Sequence, residues 1–125
     1  MKDTTNVYFA DTYAIIEILG GNKEYQPFIE RVLITTKLNL AELYYHLLKE
    51  YGNEIAEKYM TIYAKISIPI TFSAIKKGMQ LKLEYKKEKL SYADCIGYAL
   101  ALEQNIPFLT GDQKFKEKTQ VEFRK

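Results

Sequence analysis

Apolar and polar positions change period several times along the chain, and each change marks an element. Val7–Ala10 (VYFA) is a continuous apolar run of the kind a strand buried on both faces requires, with Asp11 at its end. Helical spacing follows at once: Ala14, Ile15, Ile18 and Leu19 share a face before Gly20 and Gly21 end the element. A short helical piece over 24–30, limited at its start by Pro27, leads to 31–35 (RVLIT), a second strand. Over 39–51 (NLAELYYHLLKEY), Leu40, Leu43, Leu47 and Leu48 make one helical stripe. Ile55, Tyr59, Ile62 and Tyr63 repeat it over 54–65, after a break at Gly52 and Asn53. The β-branched run 66–70 (ISIPI) predicts a third strand, at an edge because Pro69 has no N–H to give. Thr71 or Ser73 then caps a helix expected to turn Ile75, Met79 and Leu83 inward and Lys76, Lys77, Lys82, Lys86 and Lys87 outward. A last helix opens at Ser91, packs through Ile96, Ala99 and Leu100, and closes at 105–107. Residues 107–110 read as a fourth strand and Val121–Phe123 as a final one. This alternation predicts an α/β fold: three layers, α/β/α, with a central, mostly parallel sheet.

Composition narrows the picture. At 125 residues the chain is expected to be one domain spanning 1–125, and 47% hydrophobic with 27% charged residues excludes a disordered or collagen-like chain. No apolar run approaches the roughly 20 residues of a membrane span. The first residues carry acids where a secretory signal has an apolar core. A single cysteine, Cys95, excludes an internal disulfide, so a cytoplasmic location is expected. The net charge of +2 is uneven: residues 1–70 hold seven Lys/Arg against nine Asp/Glu, and residues 71–125 hold eleven against seven. A basic half suits a polyanionic partner, and equally a solvated lysine-rich helix surface.

Four acids carry the candidate chemistry, and each has a plain structural explanation. Ser91 with Asp94, and Asn39 with Glu42, fit a capping box; Asp11 and Asp112 fit simple N-caps. Taken together they say more. Asp11 follows the first strand and Asp112 the fourth, Glu42 falls in the first turn after the second strand, and Asp94 begins the helix leading into the fourth. Open parallel sheets bind ligands outside the carboxyl ends of their strands. Carboxylates ~4 Å apart repel by about 4 kcal/mol at an effective dielectric near 20, so such a cluster requires a counter-ion. Mg2+ or Mn2+ suits oxygen ligands, whereas one Cys and one His do not make a zinc site. His46, four residues after Glu42 on the same face, could join the acids, although a lone helical histidine is more often structural. Cys95 is expected to pack as a small apolar group and Gly97 to allow close helix–sheet approach. The tyrosines, among them Tyr13, Tyr44, Tyr45, Tyr92 and Tyr98, read mostly as packing residues, with one or two able to stack on bases.

The segments FADTYAII around Asp11, NLAELYY around Glu42, LSYADCIGYALALE around Asp94 and FLTGDQKF around Asp112 resemble the successive motifs of PIN-domain nucleases. The similarity is greatest to the compact VapC-type toxins of toxin–antitoxin pairs, and it covers nearly the whole chain. It implies a PIN-like fold with an acidic metal site of Asp11, Glu42, Asp94 and Asp112, Asp11 and Asp94 as direct ligands, the other two acting through water or on a second ion. Thr110 matches a supporting position beside the last acid. The resemblance further implies Mg2+- or Mn2+-dependent hydrolysis of RNA, a small antitoxin as partner, and a homodimer. Tyr13 departs from the small or polar residue of many relatives, and 53–89 matches in pattern but not in motif. A housekeeping RNA-processing nuclease and a catalytically inactive RNA-binding PIN module remain open alternatives. A phosphoacceptor signalling domain fits poorly, because Asp11 stands without a second acid and ISIPI is followed by Thr71.

Overall fold

The structure is a computed structural model and describes residues 6–125. The elements in order are β1 (Val7–Ala10), α1 (Thr12–Leu19), a 3-10 helix (Lys23–Phe28), β2 (Val32–Ile34), α2 (Lys37–Tyr51), α3 (Asn53–Tyr63), α4 (Phe72–Glu84), α5 (Tyr92–Gln104), β3 (Phe108–Thr110) and β4 (Val121–Phe123). The strands form a four-stranded sheet in the order β2-β1-β3-β4, with every pairing parallel. β1 and β3 are central and covered on both faces, which is why β1 reads as an unbroken apolar run and β3 as an apolar pair ending on the buried Thr110. Their side chains alternate between two cores: Tyr8, Ala10 and Leu109 face α1, α2 and α3, while Phe9 and Phe108 face α4 and α5. The result is the three-layer α/β/α fold. No described helix is long and apolar enough to cross a membrane.

Helix α5 is the rod on which one layer is built. Residues 95–101 are all buried, and complete burial of a side chain such as Leu100 contributes about 2 kcal/mol. Gly97 allows its close approach to the sheet, since a Cβ there would lie 2.9 Å from the Phe9 ring. The capping box of Ser91 and Asp94 starts the helix, and Asn105, left-handed at φ 58°, ends it.

Three expectations need correction. The run 66–70 is not a strand: Ala64–Ile66 is a 3-10 turn, and only Ser67 makes a parallel bridge, to Thr35. The Ile68 N–H donates to the Thr35 carbonyl at 2.9 Å, and pairing stops there because Thr36 caps α2 and the partner segment turns out of the sheet at Lys37; Pro69 falls at a position facing away from Thr35, as an edge allows. The edge position holds; the strand does not. Helix α4 turns Ala74, Gly78 and Leu81 inward; of the three residues expected inside, Met79 packs partly buried against that core, whereas Leu83 and Ile75 are exposed. Small residues decide this, because a Cβ on Gly78 would sit 3.0 Å from the Ile96 Cα, so the glycine face is the one that fits against α5. Lys82 does not point outward either, for its Nζ donates to the Leu90 carbonyl at 2.5 Å. Leu48 and Ile62, placed on buried stripes by periodicity, are exposed because the core accepts a narrower face of α2 and α3.

Candidate functional site

From β1 the chain moves outward to β2 and later returns to the other side of β1 to form β3. The carboxyl ends of β1 and β3 therefore flank a topological switch point, where the two directions of winding leave a crevice. Asp11 stands there as the N-cap of α1 and is 2% exposed. Its Oδ1 accepts the Ala14 N–H at 2.8 Å and its Oδ2 accepts the Thr110 hydroxyl at 2.5 Å. The same Thr110 Oγ1 accepts the Asp112 N–H at 3.0 Å. One hydroxyl thus ties the end of β1 to the turn after β3. Asp112 in turn caps the short helix Gln113–Phe115, its Oδ1 accepting the Lys114 N–H at 3.0 Å. Asp94 accepts the Ser91 N–H on Oδ2 at 3.0 Å, and its own N–H donates to the Ser91 hydroxyl at 3.0 Å.

Electrostatics link three of the four expected acids. Burial pushes the Asp11 carboxyl up to about 7; the bonds from Thr110 and Ala14 pull it back, and the charges of Asp94 and Asp112 push it up further. The Asp94 carboxyl is also raised, first by burial, against the bonds from Ser91, with Asp112 raising it and Lys114 countering. Glu42 is positioned differently. Helix α2 begins at Lys37 under a Thr36 cap, so Glu42 lies in its second turn, and instead of reaching back to Asn39 it accepts the Thr12 hydroxyl at 2.8 Å. As the side chains are placed, no three acidic, His or Cys groups among the described residues close around a single point. Asp11, Asp94 and Asp112 each give at least one oxygen to a helix cap.

A buried polar network beside the acids went unread in the sequence. Thr36 Oγ1 donates to Asn39 Oδ1 at 2.7 Å, Asn39 Nδ2 donates to Thr12 Oγ1 at 3.3 Å, and Thr35 Oγ1 donates to the Ala10 carbonyl at 2.8 Å. Thr35, Thr36 and Asn39 are fully buried, and they knit the end of β1 to the start of α2. The available signal was the succession of polar residues, TTKLN, directly after an apolar strand.

The other candidates separate cleanly. Gly111 is wedged between the Tyr13 ring and the Arg124 carbonyl, where a Cβ would come within 2.3 and 2.4 Å. Tyr13 therefore stands at the site, and its hydroxyl is raised by burial and then by Glu17, Asp11 and Asp112. His46 does not join the acids; it lines a groove of about 490 Å3 with Ile16, Leu19, Tyr51 and Tyr59, between α1, α2 and α3. Cys95 is buried as expected, and burial followed by the neighbouring Asp94 pushes its thiol up to about 11. Tyr98 packs and donates to the Thr119 carbonyl at 2.7 Å, whereas Tyr45 and Tyr92 are exposed.

A parallel α/β sheet with coupled carboxylates at its switch point defines the class of this protein: an α/β domain organised around an acidic crevice. The family model described as PIN domain matches residues 8–120, and the chain belongs to that family. Similar solved structures include VapC20 of Mycobacterium tuberculosis, described as a sarcin–ricin loop cleaving toxin, with a TM-score of 0.77 and 17% identity over 94% of this chain and 99% of that one. A toxin–antitoxin complex from Klebsiella pneumoniae gives 0.71 and 18% identity over 92% and 95% of the two chains. VapBC2 from Rickettsia felis, bound to a fragment of its promoter DNA, gives 0.70 and 19% over 94% and 97%. At such identities the likeness establishes the fold. No curated protein matches the chain by sequence.

Proposed function

We propose that the chain, acting as a single PIN domain over residues 1–125, is a divalent-metal-dependent endoribonuclease of the cytoplasm and the toxin of a toxin–antitoxin pair. The observation that carries this reading is Asp11, a carboxyl at 2% exposure and pushed up to about 7 beside the charges of Asp94 and Asp112. Buried carboxylates among like charges destabilise a fold unless a cation offsets them. The donor set of Asp11, Glu42, Asp94 and Asp112 is all oxygen, which suits Mg2+ or Mn2+ rather than zinc, and His46 lies in another groove. Such an ion supplies an activated water and offsets the charge that grows on a phosphate under attack.

The protein's own residues do the positioning. Thr110 fixes Asp11 and the Asp112 peptide relative to each other, Ser91 holds Asp94 at the start of the buried rod α5, and Thr12 steadies Glu42. Asp11 and Asp94 would hold the ion, and Glu42 and Asp112 would complete the acidic set around it. No side chain forms a covalent intermediate, in keeping with a Cys95 thiol that is buried and raised. The solved relatives from K. pneumoniae and R. felis are toxin–antitoxin assemblies, which supports a small antitoxin as protein partner, and the family resemblance adds a second copy of the chain.

The test is RNA cleavage by the protein and by Asp94→Asn, with and without Mg2+. Asparagine still accepts the Ser91 N–H, so the variant keeps its cap while losing charge. A loss of about 100-fold or more in the presence of Mg2+ is expected. Equal cleavage by both proteins sinks the assignment.

A further inference from the structure

Tyr13 belongs to neither hydrophobic core, although it lies in the first turn of α1, one residue before the core Ala14. Among the described residues no other ring and no cation packs on it, whereas Tyr8, Tyr25 and Tyr98 each meet a phenylalanine. It is only partly covered. Its ring rests by one edge on Gly111, where a Cβ would lie 2.3 Å from Cε1 and 2.8 Å from Cζ. That seat is fixed from behind. The Arg124 N–H donates to the Thr110 carbonyl at 2.9 Å, and the Arg124 carbonyl, against Gly111 as well, accepts the Tyr25 hydroxyl at 2.6 Å.

The seat is part of the acidic crevice. Gly111 separates Thr110, whose hydroxyl holds Asp11, from Asp112. Consecutive Cα atoms are ~3.8 Å apart, so a ring on Gly111 stands within one nucleotide's reach of a phosphate drawn to these acids. Lys114, exposed two residues beyond Asp112, adds a cation at the same edge, and its charge acts on Asp94 against that of Asp112. An aromatic face beside a phosphate site, with a lysine beyond it, supplies the two parts of a single-strand binder: a platform for a base and charge for the backbone. Packing alone does not call for the ring. Gly111 needs only a side chain at its flank, which an aliphatic residue supplies, and neither core gains from an aromatic group there.

We propose that Tyr13 is a specificity-determining residue, its ring stacking on an unpaired base next to the phosphate held at the acids, and that this ring is what makes the site prefer unpaired to paired RNA. A base within a duplex is stacked on both sides and has no free face to offer, so it gains nothing from the platform. The selection is for an unpaired base and not for one base in particular, because every base has a π-face. This inference rests on the nuclease reading above and assigns a residue to its choice of substrate. It is tested by binding, in Ca2+ in place of Mg2+, while cleavage in Mg2+ reports on the nuclease reading, so the two can fail separately.

The probes are a labelled oligoadenylate, an abasic strand of the same length and charge, and the oligoadenylate paired with oligouridylate, each followed by fluorescence anisotropy. Circular dichroism confirms that every variant is folded. The wild type should bind the oligoadenylate about 10-fold more tightly than the abasic strand. Tyr13→Phe keeps the ring and should stay within about 2-fold of wild type on all three probes. Tyr13→Leu should bind the oligoadenylate about 10-fold more weakly while its affinity for the abasic strand and the duplex stays unchanged. Tyr13→Met, flexible enough to settle on Gly111 where leucine does not, is the second non-aromatic variant and should match Tyr13→Leu. A wild type that binds neither single strand, or both alike, overturns the proposal. So do non-aromatic variants that weaken all three probes equally, the mark of a ring that only props Gly111. A Tyr13→Phe that loses as much as Tyr13→Leu overturns it too, for the phenol would then be bonded to the strand and the ring would not be stacked on it.

Discussion

The crevice at the ends of β1 and β3 and the outer face of α4 break the same rule in opposite ways. One buries a carboxylate among carboxylates; the other leaves phenylalanine and leucine in water. Both departures cost the isolated chain stability: a cation would offset the first, and apolar cover would offset the second. The difference lies in the surroundings. Asp11 is locked by Thr110 and Ala14, so its cost cannot relax, whereas Phe72 and Leu83 of α4 lie mostly in water and their cost is spread over exposed side chains.

That contrast is open to attack, beginning with the largest effect. Asp11 should make metal-free stability depend on pH. Its folded pKa of about 7 lies above the ordinary 3.8, so the native state holds the proton more tightly than the unfolded chain. Its contribution is therefore fully present below about pH 4 and is lost as pH rises to about 7, by about 4 kcal/mol as an upper bound. Urea denaturation in EDTA at several pH values checks this, with Asp11→Asn expected to flatten the curve and Mn2+ to restore stability at high pH only in the wild type. Next, Gly111→Ala should cost about 3 kcal/mol, because a backbone carbonyl and a packed ring must both move; a melting temperature within two degrees of wild type, an arbitrary margin of about 0.5 kcal/mol, would show the crevice to be softer than its contacts suggest. Thr12→Val should cost about 1 kcal/mol and weaken Mn2+ binding, since it frees Glu42 and deprives Asn39 of an acceptor. Smallest of all, Phe72→Ser and Leu83→Ser, at exposed positions, should each change stability by less than about 0.5 kcal/mol. A large loss there would mean that Phe72 and Leu83 contribute to the fold despite their exposure.

How much of this was legible in the sequence depends on the kind of signal. β1 was readable because a strand covered on both faces is apolar throughout, and β3 because its apolar pair Phe108 and Leu109 is broken only by Thr110 at its end. The run 66–70 is β-branched too, but a strand needs a partner in register, and beyond Thr35 the neighbouring chain has already turned into α2. Helix α4 was found, but of Ile75, Met79 and Leu83 only Met79 packs on the core. With two apolar faces, periodicity cannot say which is inside, and the answer lay in Ala74 and Gly78, residues that carry almost no hydrophobic signal. Among the acids, Asp11, Asp94 and Asp112 were legible from their places at strand ends and helix starts. Glu42 was located less well because Thr36, not the neighbourhood of Asn39, caps α2. The network of Thr12, Thr36 and Asn39 was hidden, since its bonds join residues that only the fold brings together.

The bond from Thr110 to Asp11 spans 99 positions of the chain. Closing a loop of that length is entropically slow to begin and gains nothing until the strands between are in place, so the crevice cannot form ahead of the domain that surrounds it. A partly folded chain, however rich in helix, has its acids far apart. Refolding followed by the Asp11-dependent binding of Mn2+ should therefore lag behind the recovery of helical signal, and the protein becomes competent only at the last step of its folding.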